Sequence, residues 1–100
     1  VDDESDEEID DQTRIGFIAY PVPFNGEFNV KYNYDFNTDV IIEVFDMKGT
    51  LVKRVVNPNY VRGMDSFSRI DLPHADSQLF FVKVTTSQGT MIKKIVSSNN

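Results

Sequence analysis

Between Leu79 and Val96 the chain reads Leu-Phe-Phe-Val-Lys-Val-Thr-Thr-Ser-Gln-Gly-Thr-Met-Ile-Lys-Lys-Ile-Val, two apolar runs parted by Ser87-Gln88-Gly89. Aromatic and β-branched residues favour strands, and Gly89 is free to take a positive φ, so the stretch is read as a β-hairpin. A hairpin alone is marginal in water and leaves an apolar face to be covered. That requirement constrains the rest of the chain, which must supply the covering strands. Only Ser97 to Asn100 follow the hairpin, so its second strand is presented almost at the chain end.

The upstream sequence supplies the cover. Ile15 to Tyr20 is a short apolar run halted at Pro21-Val22-Pro23, where prolines remove ladder donors and turn the chain. From Gly26, Phe28, Val30, Tyr32 and Tyr34 alternate with Glu27, Asn29, Lys31 and Asn33, the period of a half-buried strand. A turn at Asp35–Asp39 precedes a strand at Val40–Phe45. Asp46-Met47-Lys48-Gly49 then returns the chain through Thr50–Val56. Its first-position Asp can bond its own backbone, and its fourth-position Gly suits a type I turn or bulged hairpin. Asn57-Pro58-Asn59 is expected to end that strand, Tyr60–Asp65 to be irregular, and Ser66–Leu72 to form a weaker strand stopped by Pro73. No helical periodicity of useful length occurs. The pattern predicts an all-β fold, an immunoglobulin-like β-sandwich of about seven antiparallel strands. With neither Trp nor Cys it is not an antibody domain.

The formal charge of −6 is local in origin, because eight of the sixteen acidic residues lie between Asp2 and Asp11. Residues 1–13 therefore read as a disordered acidic linker, since like charge and few apolar side chains cannot offset the entropy of ordering. Residues 14–100 read as the sandwich. From Thr13 onward ten Lys plus Arg face eight Asp plus Glu, too weak a field to recruit nucleic acid. No apolar run is long enough to span a bilayer, and the start at Val1 suggests a piece of a longer protein. The lack of cysteine excludes disulfides, thiolate zinc sites and thiol nucleophiles.

Catalytic constellations are absent from the pattern. His74, the one histidine, follows Pro73 in a loop, with Asp76 and Ser77 adjacent only in sequence, so it reads as a surface residue and not as part of a triad. Asp35, Asn37 and Asp39 open like a calcium loop, but Val40 stands at the sixth position where the sharp turn needs Gly; a hairpin turn is the better reading. No cofactor and no metal site are expected, and the chain is expected not to be an enzyme. Most aromatics belong to the core, with Tyr60 and Phe36 left at loops as candidates for sugar stacking. Lys93 and Lys94 in tandem must point to opposite faces of their strand, so one of them lies toward the core or its rim.

Tyr20-Pro21-Val22-Pro23-Phe24, the alternation Phe28-Val30-Tyr32, Val44-Phe45-Asp46-Met47-Lys48-Gly49-Thr50-Leu51-Val52, Phe80-Phe81-Val82-Lys83-Val84, and Gly89 with Lys93-Lys94-Ile95-Val96 together resemble the C-terminal sorting domain of proteins exported by the type IX secretion system of Bacteroidota. The match runs from about Ala19 to Ser97 and departs at Val22, Gln78 and Phe80, where the family usually has Asn, Gly and Tyr. The resemblance implies a non-enzymatic export address for a cargo domain N-terminal to it on the same chain. Its implied partners are the outer-membrane translocon and a cell-surface sortase, and its destination, after the periplasm, is the cell surface or the medium. It further implies an export-signal strand of Gly89, Met91, Ile92, Lys93, Lys94, Ile95 and Val96. The resemblance also implies a structural motif of Tyr20, Pro21, Pro23, Asp46 and Gly49. It implies a cleavage region that would include Ser5, Asp10, Asp11, Gln12 and Thr13, where an unpaired backbone suits a protease. The competing reading is a carbohydrate-binding or adhesion sandwich appended to a secreted enzyme.

Overall fold

The computed structural model describes residues 15–72 and 77–98. Among them lie seven strands: β1 (Ile18–Tyr20), β2 (Glu27–Tyr32), β3 (Thr38–Phe45), β4 (Leu51–Tyr60), β5 (Ser66–Asp71), β6 (Leu79–Thr86) and β7 (Gly89–Val96). They form a three-stranded sheet in the order β1-β2-β5 and a four-stranded sheet in the order β4-β3-β6-β7, every ladder antiparallel. The chain crosses between sheets after β2, β4 and β5, the connectivity of an immunoglobulin-like sandwich in which the fourth strand pairs with the third. The fold expected from alternation and turn chemistry is the one observed.

Alternation places the core. Phe28, Val30 and Tyr32 of β2 and Ile70 of β5 face Val40, Ile42 and Val44 of β3, Val82 and Val84 of β6 and Ile95 of β7, all buried. Rings gather in two clusters. Phe24 lies 4.9 Å from Phe28 and 5.9 Å from Phe80, while Tyr34 stacks on Tyr32 and Phe36 at 5.3 Å and meets Tyr60 edge-on at 5.5 Å. Offset and tilted pairs of this kind add to simple area burial.

The Asp46–Gly49 turn forms as its residue types require. Gly49 N–H donates to the Asp46 carbonyl at 3.0 Å, the Asp46 carboxylate accepts from Lys48 N–H and Thr50 N–H at 2.9 Å each, and Gly49 takes φ +86°. At the closing hairpin, Ser87 and Gln88 make the turn and Gly89, at φ +141°, already pairs with Thr86.

Of the apolar run Ile15 to Tyr20, only Ile18–Tyr20 is strand, because Ile15–Phe17 lies outside the ladder. Two local expectations are corrected. The second strand of the Asp46–Gly49 hairpin does not stop at Asn57-Pro58-Asn59 but runs to Tyr60, with a register shift opposite Thr38 and Val40. β4 is an edge strand, so Pro58 forfeits no ladder bond, and Asn59 takes the surplus curvature at φ +62° while its N–H donates to Asp39. Finally, Asp35–Asp39 is not a hairpin turn, because the chain passes there from one sheet to the other.

Candidate functional site

The candidate export strand is β7, at the edge of the four-stranded sheet and paired with β6 from Leu79↔Val96 to Thr86↔Gly89. The two-residue period sorts its side chains. Met91, Lys93 and Ile95 turn toward the sandwich interior, and Ile95 is only 3 % exposed. Ile92, Lys94 and Val96 turn outward, and Ile92 is 58 % exposed. The residues of the candidate strand thus share one strand but not one surface.

Lys93 is the lysine at the core rim. Its ammonium donates to the Phe17 carbonyl and sits 5.2 Å from the centre of the Phe17 ring, a cation–π arrangement against a buried ring. Lys94 is exposed, and among the described residues no carboxylate lies within ion-pair distance of Lys83, Lys93 or Lys94.

Both ends of β7 touch the N-terminal part of the body. Ile15 Cδ1 lies 3.2 Å from where a Cβ on Gly89 would stand. At the other end Phe24 N–H donates to the Val96 carbonyl at 3.0 Å and Ser98 N–H donates to the Phe24 carbonyl at 2.7 Å, forming a parallel bridge. Phe17 and Phe24 are therefore part of the site although nothing in their local pattern announces it. The one available sequence signal is that Pro23 has no N–H, which makes Phe24 the first residue past the proline pair able to start a new pairing.

Of the structural motif, Asp46 and Gly49 meet in the turn described above. Tyr20, Pro21 and Pro23 lie at the corner between β1 and β2, with cis peptide bonds preceding both prolines. Ser5, Asp10, Asp11, Gln12, Thr13 and His74 lie outside the described residues. Tyr60 and Phe36 do not stand exposed for stacking on a sugar: they are 2 % and 8 % exposed, packed into the tyrosine cluster. The Tyr60 hydroxyl accepts from Tyr34 N–H at 2.8 Å and donates to the Met64 carbonyl, bracing the crossing from β2 and the loop after β4. In the segment that opens like a calcium loop, Asp39 accepts from Asn59 N–H at 2.9 Å and Asn37 from Arg62 N–H at 2.8 Å, so both side chains accept from backbone N–H groups. No group of three or more potential metal ligands occurs among the described residues, and no helix there is long and apolar enough to cross a membrane.

No curated protein and no solved structure matches the chain. Residues 18–98 match the family described as Secretion system C-terminal sorting domain, which takes in every strand of the sandwich. That match covers most of the chain and the whole β-sandwich: the chain belongs to the C-terminal sorting domains of the type IX secretion system.

Proposed function

We propose that β7 carries the export address of this sorting domain and that the translocon reads it from outside the folded sandwich. The observation that carries the reading is position. β7 lies at a sheet edge with Ile92 and Lys94 exposed, so a partner can reach it without unfolding the core. An N-terminal cargo would be drawn across the outer membrane with it. A surface sortase would then cut within the acidic segment, at Ser5 or among Asp10, Asp11, Gln12 and Thr13, leaving the cargo at the cell surface or in the medium.

The test is a reporter cargo fused to the chain, with Ile92→Ser and Lys94→Ala introduced together. Surface changes of this kind leave stability within about 0.5 kcal/mol each. The expected result is a purified domain that melts like the parent and a cargo that accumulates in the periplasm. Export at the parental rate would remove the outward residues of β7 from the signal. Mass spectrometry of exported cargo locates the cut; a new terminus inside the sandwich would refute cleavage in the acidic segment.

A further inference from the structure

We propose that Asn25 is a site of spontaneous covalent modification, where the side-chain amide closes on the Gly26 nitrogen and the resulting β-aspartyl link loosens Phe24 from the end of β7. The chemistry begins in the sequence. Asn25-Gly26 is the one Asn-Gly pair in the chain, the other asparagines being followed by Val30, Tyr34, Thr38, Pro58, Tyr60 and Asn100. Glycine at the second position has no Cβ, so nothing shields its nitrogen from the approaching amide carbon.

The fold leaves this pair free while it holds other asparagines. Asn33 Nδ2 donates to Asp65 at 2.6 Å, Asn37 accepts from Arg62 N–H at 2.8 Å, and Asn57 Nδ2 donates to the Tyr32 hydroxyl at 2.6 Å. Asn25 is exposed, and among the described residues neither its side chain nor the Gly26 N–H has a hydrogen-bond partner. Gly26 takes φ +81°, with nothing within 4 Å of where a Cβ would stand. The pair lies just before β2, outside the ladders that would immobilise it. The amide can therefore turn onto the nitrogen without breaking a native bond.

The reaction needs only hydroxide and water. Hydroxide takes the Gly26 amide proton, the nitrogen attacks Asn25 Cγ, and ammonia leaves with a proton from water as the succinimide ring closes. Water then opens the ring. Attack at Cγ breaks the new bond and leaves aspartate; attack at the main-chain carbonyl carbon breaks the original peptide bond and leaves the chain running through Cγ. Nothing is oxidised or reduced in either branch.

The second product strains a contact of β7. On one side of Asn25, Phe24 N–H donates to the Val96 carbonyl at 3.0 Å, and the Phe24 carbonyl accepts from Ser98 N–H at 2.7 Å and Ser98 Oγ at 3.1 Å. On the other side the Gly26 carbonyl accepts from Leu72 N–H at 2.8 Å. The β-aspartyl link inserts one methylene, about 1.5 Å of chain, between these anchors. Gly26 is backed by the β2–β5 ladder, which starts at Glu27↔Asp71, whereas Phe24↔Ser97 is an isolated bridge. The mismatch therefore falls on the Phe24 side.

The experiment ages the full 100-residue chain in mildly alkaline heavy-oxygen water and maps the tryptic peptide from Ile15 to Lys31 by fragmentation. Asn25 is expected to exchange its amide for a labelled carboxyl faster than any other asparagine, at a rate proportional to hydroxide. An isoaspartyl methyltransferase should methylate the product, and Asn25→Gln should abolish the signal. Hydrogen exchange should then show Phe24 and Ser98 amides losing protection in the aged chain but not in Asn25→Asp, which adds the charge without the methylene. Conversion confined to a urea-unfolded sample, or equally fast at Asn29 and Asn59, would overturn the site. Protection of Phe24 and Ser98 as high in the aged chain as in Asn25→Asp would overturn the link to β7.

Discussion

Replacing Tyr60 with Phe tests whether the tyrosine cluster braces the sandwich through its hydroxyl or only through its rings. Tyr60 is 2 % exposed, and its oxygen serves the Tyr34 N–H at 2.8 Å and the Met64 carbonyl. The phenyl ring of the variant keeps the contacts to Tyr32 at 5.6 Å and Tyr34 at 5.5 Å, so packing changes little. What is lost is a partner for a backbone N–H at a buried residue, which costs about 1–3 kcal/mol when nothing replaces it. In a domain of this size each kcal/mol moves the melting temperature by about 4–8 °C, so a loss near 2 kcal/mol lowers it by roughly 8–16 °C. Urea melts should show a lower midpoint with an unchanged slope, since the surface exposed on unfolding is the same. Tyr20→Phe is the control, because Tyr20 is 40 % exposed, and it should shift stability by less than about 0.5 kcal/mol. Equal melting temperatures for the two variants would refute the role assigned to the Tyr60 hydroxyl.

Lys93→Ala should cost about 1 kcal/mol through the lost Phe17 carbonyl bond, while Lys94→Ala should be nearly neutral; matching urea midpoints would show that the tandem lysines are equivalent. Gly49→Ala should destabilise by about 1–2 kcal/mol by forcing a Cβ into the left-handed region at φ +86°, and Gly49→Asn by less; since nothing crowds the position, equal losses would point to a cause other than backbone strain. Burial, then the phenols of Tyr32 and Tyr60, push the Tyr34 hydroxyl well above the usual tyrosine range. The folded chain therefore holds a proton that the unfolded chain releases near about pH 10, so stability should be flat below that point and fall as pH rises through it. Urea midpoints that rise between about pH 9 and about pH 11 would contradict this sign.

Much of the sandwich was legible because its rules are local. The alternation of Phe28, Val30 and Tyr32 fixed a buried face, and Asp46 with Gly49 specified a turn whose bonds close within five residues. Misreadings arose where a local rule met a non-local context. Proline breaks a central strand, but β4 is an edge, so Pro58 is accommodated. Tyr60 and Phe36 sit where loops begin, and loops are usually exposed, yet here the chain crosses between sheets and folds both rings inward. The parity of Lys93 and Lys94 was readable. That the inward one would find the carbonyl of Phe17, 76 residues away, was not.

The geometry of β7 also narrows how a partner could read it. Val96 C=O and Ser98 N–H face away from β6 to meet Phe24, whereas Ser97 N–H faces β6, donating to the Gln78 carbonyl at 2.9 Å. In an antiparallel ladder this alternation continues along the strand, so Thr90, Ile92 and Lys94 direct both N–H and C=O to the free edge. Their side chains are also the outward ones. A partner strand added at this edge would bond the backbone of the residues whose side chains it also meets. The inward residues Met91 and Ile95 would stay in the core, and Lys93 would stay on Phe17. Removing Met91 to Asn100 cannot separate these roles, since it strips Ile95 from the core and leaves Phe80 without its ladder partner. Changes confined to Ile92 and Lys94 can separate them, because in β7 the core and the readable surface fall on alternate residues.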